Sequence, residues 1–136
     1  MFHGQMKKLN MKETEILEKA IQQFIQITGA GMNILDNQLI NKGNHKADAI
    51  VELRVGNQTT TFWVEVKTEI REQNLARLLN QVKYKPGEWL LVCQYIPKPL
   101  KEILKKQGIN YLEAAGNCFI RKEGMFFYIN DKAVTA

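Results

Sequence analysis

Residues 47–68 read ADAIVELRVGNQTTTFWVEVKT, two strand-like runs joined at Gly56-Asn57. In the first run Ala49, Val51, Leu53 and Val55 alternate with Asp48, Ile50, Glu52 and Arg54. In the second, Phe62, Val64 and Val66 alternate with Thr61, Trp63, Glu65 and Lys67. Period-two alternation is the mark of strands with one apolar face, and Gly-Asn suits a two-residue hairpin loop. The pattern predicts strands over 47–55 and 58–68. A two-residue loop also fixes the register, because directly opposed residues must then have numbers summing to 113. Asp48 and Glu65 satisfy that sum, which predicts two carboxylates about 5 Å apart at Cβ on the face opposite the apolar one. Lys67, two residues on, shares that face.

Outward from the hairpin, the chain alternates helical and extended signals. Residues 70–84 carry Leu75, Leu78, Leu79 and Val82 at helical spacing and stop before Pro86-Gly87. Residues 88–96 form a nearly continuous apolar run, expected of a strand buried on both faces. A helix is predicted over 98–107 and strands over 109–113, 117–122 and 125–130. Before the hairpin, Ile16, Leu17, Ala20, Ile21, Phe24 and Ile25 predict a helix over 12–28 that Gly29 ends. A strand is predicted over 32–40, with a possible break at Asp36-Asn37, then a polar loop over 41–46. Residues 1–11 read as a loose tail. The order implies one α/β domain spanning 1–136, a mixed sheet covered by helices.

Composition narrows the class. With 136 residues the chain is one domain's length, and its 45% hydrophobic and 24% charged content excludes disorder and collagen. No apolar run approaches the length of a membrane span, and residues 1–10 lack a signal-peptide core, so a cytoplasmic protein with no membrane partner is expected. Cys93 and Cys118 each sit in an apolar run and are expected as buried, reduced thiols. A net charge of +5 permits a polyanionic partner without requiring one.

Two carboxylates facing each other repel, and a divalent cation offsets that repulsion. Hard oxygen ligands suit Mg²⁺, or Mn²⁺ in its place. A lysine beside the ion could hold or deprotonate an attacking water while the ion stabilises charge on a phosphodiester. Asp48, Glu65 and Lys67 are thus the candidate catalytic residues of a phosphodiester hydrolase; the alternative is a solvated sheet face carrying a Glu–Lys pair. Glu13 lies on the apolar stripe of the first helix. It either points into the same site or serves as an acid at the helix start, where the dipole favours one.

The motif Lys46-Ala47-Asp48 followed by Val64-Glu65-Val66-Lys67, set in the order helix, strand meander, helix, strand, resembles the PD-(D/E)XK, or restriction-endonuclease-like, superfamily. The resemblance covers residues 12–96 and, more loosely, the rest. It departs from the motif at Ala47, where the superfamily name has proline. It implies a restriction-endonuclease-like fold with an αβββαβ core. Asp48, Glu65 and the Val66 carbonyl would ligate Mg²⁺, and Lys67 would be the catalytic lysine. Gln81 and Tyr84 loosely match a Gln and Tyr of the RecB-like nucleases, and a polar helix edge is the plainer reading. Residues 108–117, GINYLEAAGN, are similar to a stretch of bacterial abortive-infection type IV antitoxin proteins, which carry a domain of this layout.

For nucleic-acid contacts, Lys98, Lys101 and Lys105 make a basic stripe on the helix of residues 98–107. His45 and Lys46 precede Asp48 and could touch a phosphate; for His45 a solvated loop is the plainer reading. The expected function is a Mg²⁺-dependent DNA endonuclease, paired as a homodimer to cut duplex DNA. The rival is a non-catalytic nuclease-fold antitoxin or regulator that binds DNA or a protein partner, as in a toxin–antitoxin or phage-defence system.

Overall fold

The computed structural model describes residues 9–37, 40–42 and 45–133. It is an α/β structure, in which the described residues form three α-helices, a seven-stranded mixed sheet and a separate two-stranded ribbon. The elements are α1 (Met11–Thr28), β1 (Gly31–Asp36), β2 (Ile40–Lys42), β3 (His45–Ala47), β4 (Ala49–Val55), β5 (Gln58–Glu69), α2 (Glu72–Val82), β6 (Trp89–Tyr95), α3 (Lys98–Lys106), β7 (Asn110–Glu113), β8 (Cys118–Lys122) and β9 (Met125–Ile129). The main sheet runs β1-β4-β5-β6-β7-β8-β9. Its centre, β5-β6-β7, is parallel and its flanks are antiparallel.

The hairpin register is the one the two-residue loop requires. Ala49 pairs with Val64, Val51 with Phe62 and Val55 with Gln58, all summing to 113. Gly56 supplies the positive φ (60°) that the turn needs. Where the sequence predicts one strand over 47–55, the chain breaks at Asp48. Residues 45–47 turn away to pair with 40–42, so the expected polar loop over 41–46 is instead mostly ribbon. The expected strand over 32–40 ends at Asp36.

Alternation sorts side chains into two cores. One face buries Val51, Leu53, Phe62, Val64, Val66 and Val92 under Ile16, Leu17, Ala20 and Phe24 of α1. Phe24 meets Phe127 edge-on at 5.0 Å between ring centroids. A capping box starts α1: Glu13 N–H donates to Asn10 Oδ1 (2.8 Å) and Asn10 N–H to Glu13 Oε1 (3.0 Å). Gly29, left-handed at φ 76°, ends it. Ile25, which the helical repeat places inside, is exposed.

The other face buries Trp89, Leu91, Cys93, Tyr111 and Phe119 under α2, through Leu75, Leu78 and Val82, and α3, through Leu100 and Leu104. β6 therefore has apolar side chains on both faces, which accounts for its unbroken apolar run. Cys93 and Cys118 are buried free thiols in opposite cores, separated by the sheet itself. Burial pushes both thiols up, Cys118 to about 12. Glu113 beside Cys93 adds to its shift. Neither is poised as a nucleophile.

Candidate metal and phosphate site

Asp48 stands where the β4–β5 ladder stops. Its N–H still donates to the Val64 carbonyl (2.8 Å), but its side chain leaves the pleat and its Oδ2 accepts from the Val66 N–H (2.9 Å). The carboxylate thus does for β5 what a continuing strand would have done. In an extended strand a residue's N–H and C=O point to the same edge. The Val66 carbonyl is therefore directed to the Asp48 side, beyond the last ladder pair.

Glu65 lies on β5 under α2 and is nearly buried, with 8% of its surface exposed. Gln81 of α2 donates through Nε2 to Glu65 Oε1 (3.0 Å) and to the Lys46 carbonyl (3.4 Å). Lys67 Nζ stands 3.1 Å from Glu65 Oε2. Burial raises the Glu65 pKa above its ordinary value, and the Asp48 charge raises it further. Lys67 and Gln81 pull the other way without cancelling the rise. Burial is the larger cause and the Asp48 charge the second, so a cation beside the two carboxylates would favour their ionised forms. The donor set is two carboxylates beside a carbonyl-bearing edge. That fits Mg²⁺, which is held by one or two protein carboxylates and completes its octahedron with water and phosphate oxygens. Among the described residues, no group of three or more His, Cys, Asp and Glu side chains gathers anywhere.

The cleft beside Lys67 is lined by Asn74, Arg77 and Gln81, one polar stripe of α2 at helical spacing. Among the described residues Arg77 makes no ion pair, unlike Arg54 with Glu52 and Arg71 with Glu69. Sequence reasoning missed Arg77 and undervalued Gln81. The signal was the 74, 77, 81 spacing beside the apolar Leu75, Leu78 and Val82.

The remaining candidates are dispersed. Glu13 is engaged in the capping box of α1. Lys46 is exposed, and its carbonyl is the one Gln81 reaches. The His45 side chain lies outside the described residues. Tyr84 is exposed past the end of α2. The basic stripe on α3 divides. Lys98 is exposed; Lys101 Nζ is 3.0 Å from Glu113 Oε1; Lys105 Nζ is 2.8 Å from Glu102 Oε2 and donates to Tyr128 Oη (2.9 Å).

Glu113 is the side chain whose role the sequence did not show. It is fully buried, and its carboxylate accepts from the Ile96 N–H (2.6 Å), Lys101 Nζ (3.0 Å) and Asn117 Nδ2 (2.9 Å). Asn117 also exchanges two bonds with the Lys132 backbone. Gly116, at φ 103°, closes the turn where an added Cβ would land on Ile27 Cδ1. This cluster gives the glutamate, glycine and asparagine of residues 113–117 structural work.

Compared with known protein families, curated proteins and solved structures, the chain gives no match.

Proposed function

We propose that the chain is a Mg²⁺-dependent phosphodiester hydrolase acting on DNA, with a restriction-endonuclease-like fold. The observation that carries this reading is the meeting of Asp48, Glu65 and Lys67 at the end of the β4–β5 ladder, with Gln81 clamping Glu65 from above. Asp48, Glu65 and the Val66 carbonyl would hold the ion, which when bound supplies charge neutralisation for the phosphodiester and acidifies a coordinated water. Gln81 fixes Glu65 Oε1, leaving Oε2 toward Lys67. The Lys67 ammonium orients the attacking water and balances charge that grows on the phosphate oxygens. Arg77 faces the same cleft, and its planar guanidinium suits two phosphate oxygens at once. Cutting both strands of a duplex calls for two such sites, hence a homodimer. No helix of the described residues is long and apolar enough to cross a membrane.

The second reading is a non-catalytic module binding DNA or a partner protein. It is favoured by the short acid count of the site and by Glu65 already having partners at both oxygens. The two separate by experiment. Calorimetric titration with Mn²⁺ or Mg²⁺, wild type beside Asp48→Asn, is followed by assays on supercoiled, linear and branched DNA. We expect metal binding that Asp48→Asn removes and nicking that Lys67→Ala lowers by about 10²–10⁴-fold. No binding at millimolar metal with DNA present, and no cleavage, would transfer the assignment to the non-catalytic reading.

A further inference from the structure

A cavity of about 180 Å³ lies between α3 and the edge strand β9, on the same sheet face as Glu65 and Lys67 but on the far side of α3. Its floor is the buried ring of Tyr111. Its walls are Tyr95 and Tyr128, each left 44% exposed. Lys98, Lys101 and Asn130 stand around the mouth. Pockets for whole cofactors measure about 300–1,000 Å³, so this one has room for a single ring system.

Lys101, Glu102 and Tyr128 are held in place. Lys101 is 15% exposed and tied to the fully buried Glu113. Tyr128 Oη accepts from Lys105 Nζ (2.9 Å) and Asn130 Nδ2 (3.2 Å), which fixes the ring. The acid at the rim, Glu102, is neutralised by Lys105 at 2.8 Å. What remains is aromatic surface open to solvent with the exposed ammonium of Lys98 beside it. Planar rings stack on such surfaces whatever their sequence, and ammonium groups take the phosphate that accompanies them.

We propose that this cavity is a nucleotide pocket, taking one unpaired nucleobase against Tyr95 and Tyr128 with its phosphate on Lys98, the lining lysine that has no ion pair among the described residues. The ligand is either a free nucleotide or an unpaired nucleotide of a strand held elsewhere on the same face. β9 lies four strand spacings from β5, about 19 Å at ~4.8 Å each. That is roughly five or six base steps of duplex at ~3.4 Å. A strand could therefore occupy the pocket and the carboxylate site together. The inference takes a nucleic-acid ligand from the proposed function but does not depend on its chemistry.

The test is fluorescence anisotropy of a fluorescein-labelled 12-nucleotide oligothymidylate with the full chain in chelator, with thymidine monophosphate as competitor. Tyr95→Ala and Tyr128→Ala are each expected to weaken binding about tenfold. Tyr128→Phe, which keeps the ring, should bind like wild type, and thermal melting verifies that each variant is folded. Competition by the monophosphate identifies a free nucleotide as ligand; binding of the oligonucleotide alone identifies a strand; either supports the pocket. Absence of wild-type binding, or equal binding by wild type and both alanine variants, overturns it. If wild type fails to cut DNA while the ring variants still lose oligonucleotide, the hydrolase reading falls and the pocket stands. If wild type cuts and the ring variants bind unchanged, the reverse holds.

Discussion

Asp48 has a structural task apart from the metal-binding role proposed for it. Its Oδ2 satisfies the Val66 N–H at the ladder's end. Alanine there would leave a part-buried donor unpaired, a loss of about 1–3 kcal/mol that has nothing to do with metal. Asparagine keeps an acceptor and removes the charge, so it is the cleaner variant. Glu65 poses the opposite problem, because its charge is unfavourable in the folded protein. A carboxyl whose folded pKa lies above its unfolded one binds more protons when folded, between the two values. Stability therefore falls as pH rises above the ordinary 4.5 toward the raised value, and remains lower at neutral pH. Glu65→Gln removes that term. In chelator the variant should melt at or above wild type at pH 7, with its advantage closing as pH falls toward 4.5. Mg²⁺ at 100 times its Kd should add about 2.7 kcal/mol to wild type and much less to Glu65→Gln. A melting difference that ignores both pH and metal would count against the charge crowding and against the ion.

At the scale of elements, the turn between β7 and β8 ties several parts of the molecule together. Glu113 joins the end of β6, helix α3 and Asn117, and Asn117 in turn holds the chain at Lys132. Glu113→Ala would leave an ammonium, a backbone N–H and an amide without their acceptor. Denaturant unfolding should show a loss of about 3–5 kcal/mol, the range for a broken buried pair. A loss under about 1 kcal/mol would mean that water replaces the carboxylate. The same contacts explain why the lysine stripe of α3, legible in the sequence as a basic face, is only partly available. Sequence spacing places Lys101 and Lys105 on one side of the helix. It does not reveal that a glutamate on β7 and a tyrosine on β9 lie opposite them.

On the scale of the whole molecule, the sheet separates an α1 core from an α2–α3 core, with Glu65 and Lys67 on the second face. The chain's net charge of +5 permits the polyanionic partner proposed above. Lys46, Arg77 and Lys98 are exposed cations with no ion pair among the described residues. Three phosphate contacts predict a slope of about −2.7 for the log of duplex affinity against the log of salt concentration. Raising salt from about 50 to about 200 mM should then weaken binding roughly 40-fold. Arg77→Ala should flatten the slope by about 0.9. An affinity indifferent to salt would remove nucleic acid as the partner.

The sequence by itself determined what is local or periodic. The helical stripe of α1, the Gly56-Asn57 turn and the β4–β5 register follow from spacing, because a period of two and a fixed loop length leave one pairing that buries Val51, Phe62 and Val64 together. The predicted direct pairing of Asp48 with Glu65 is not made: the ladder ends at Ala49–Val64, and Asp48 reaches β5 through the Val66 N–H instead. Tertiary structure alone decided what α2 brings to Glu65, how Asp48 leaves the pleat, which lysines of α3 remain available and where Glu113 lies. Apart from the turn of Asp48 toward Val66, each depends on how a crossover helix settles on the sheet, which places residues 12 to 35 positions apart in contact. No local pattern encodes such contacts, since their energy exists only once both surfaces have left water.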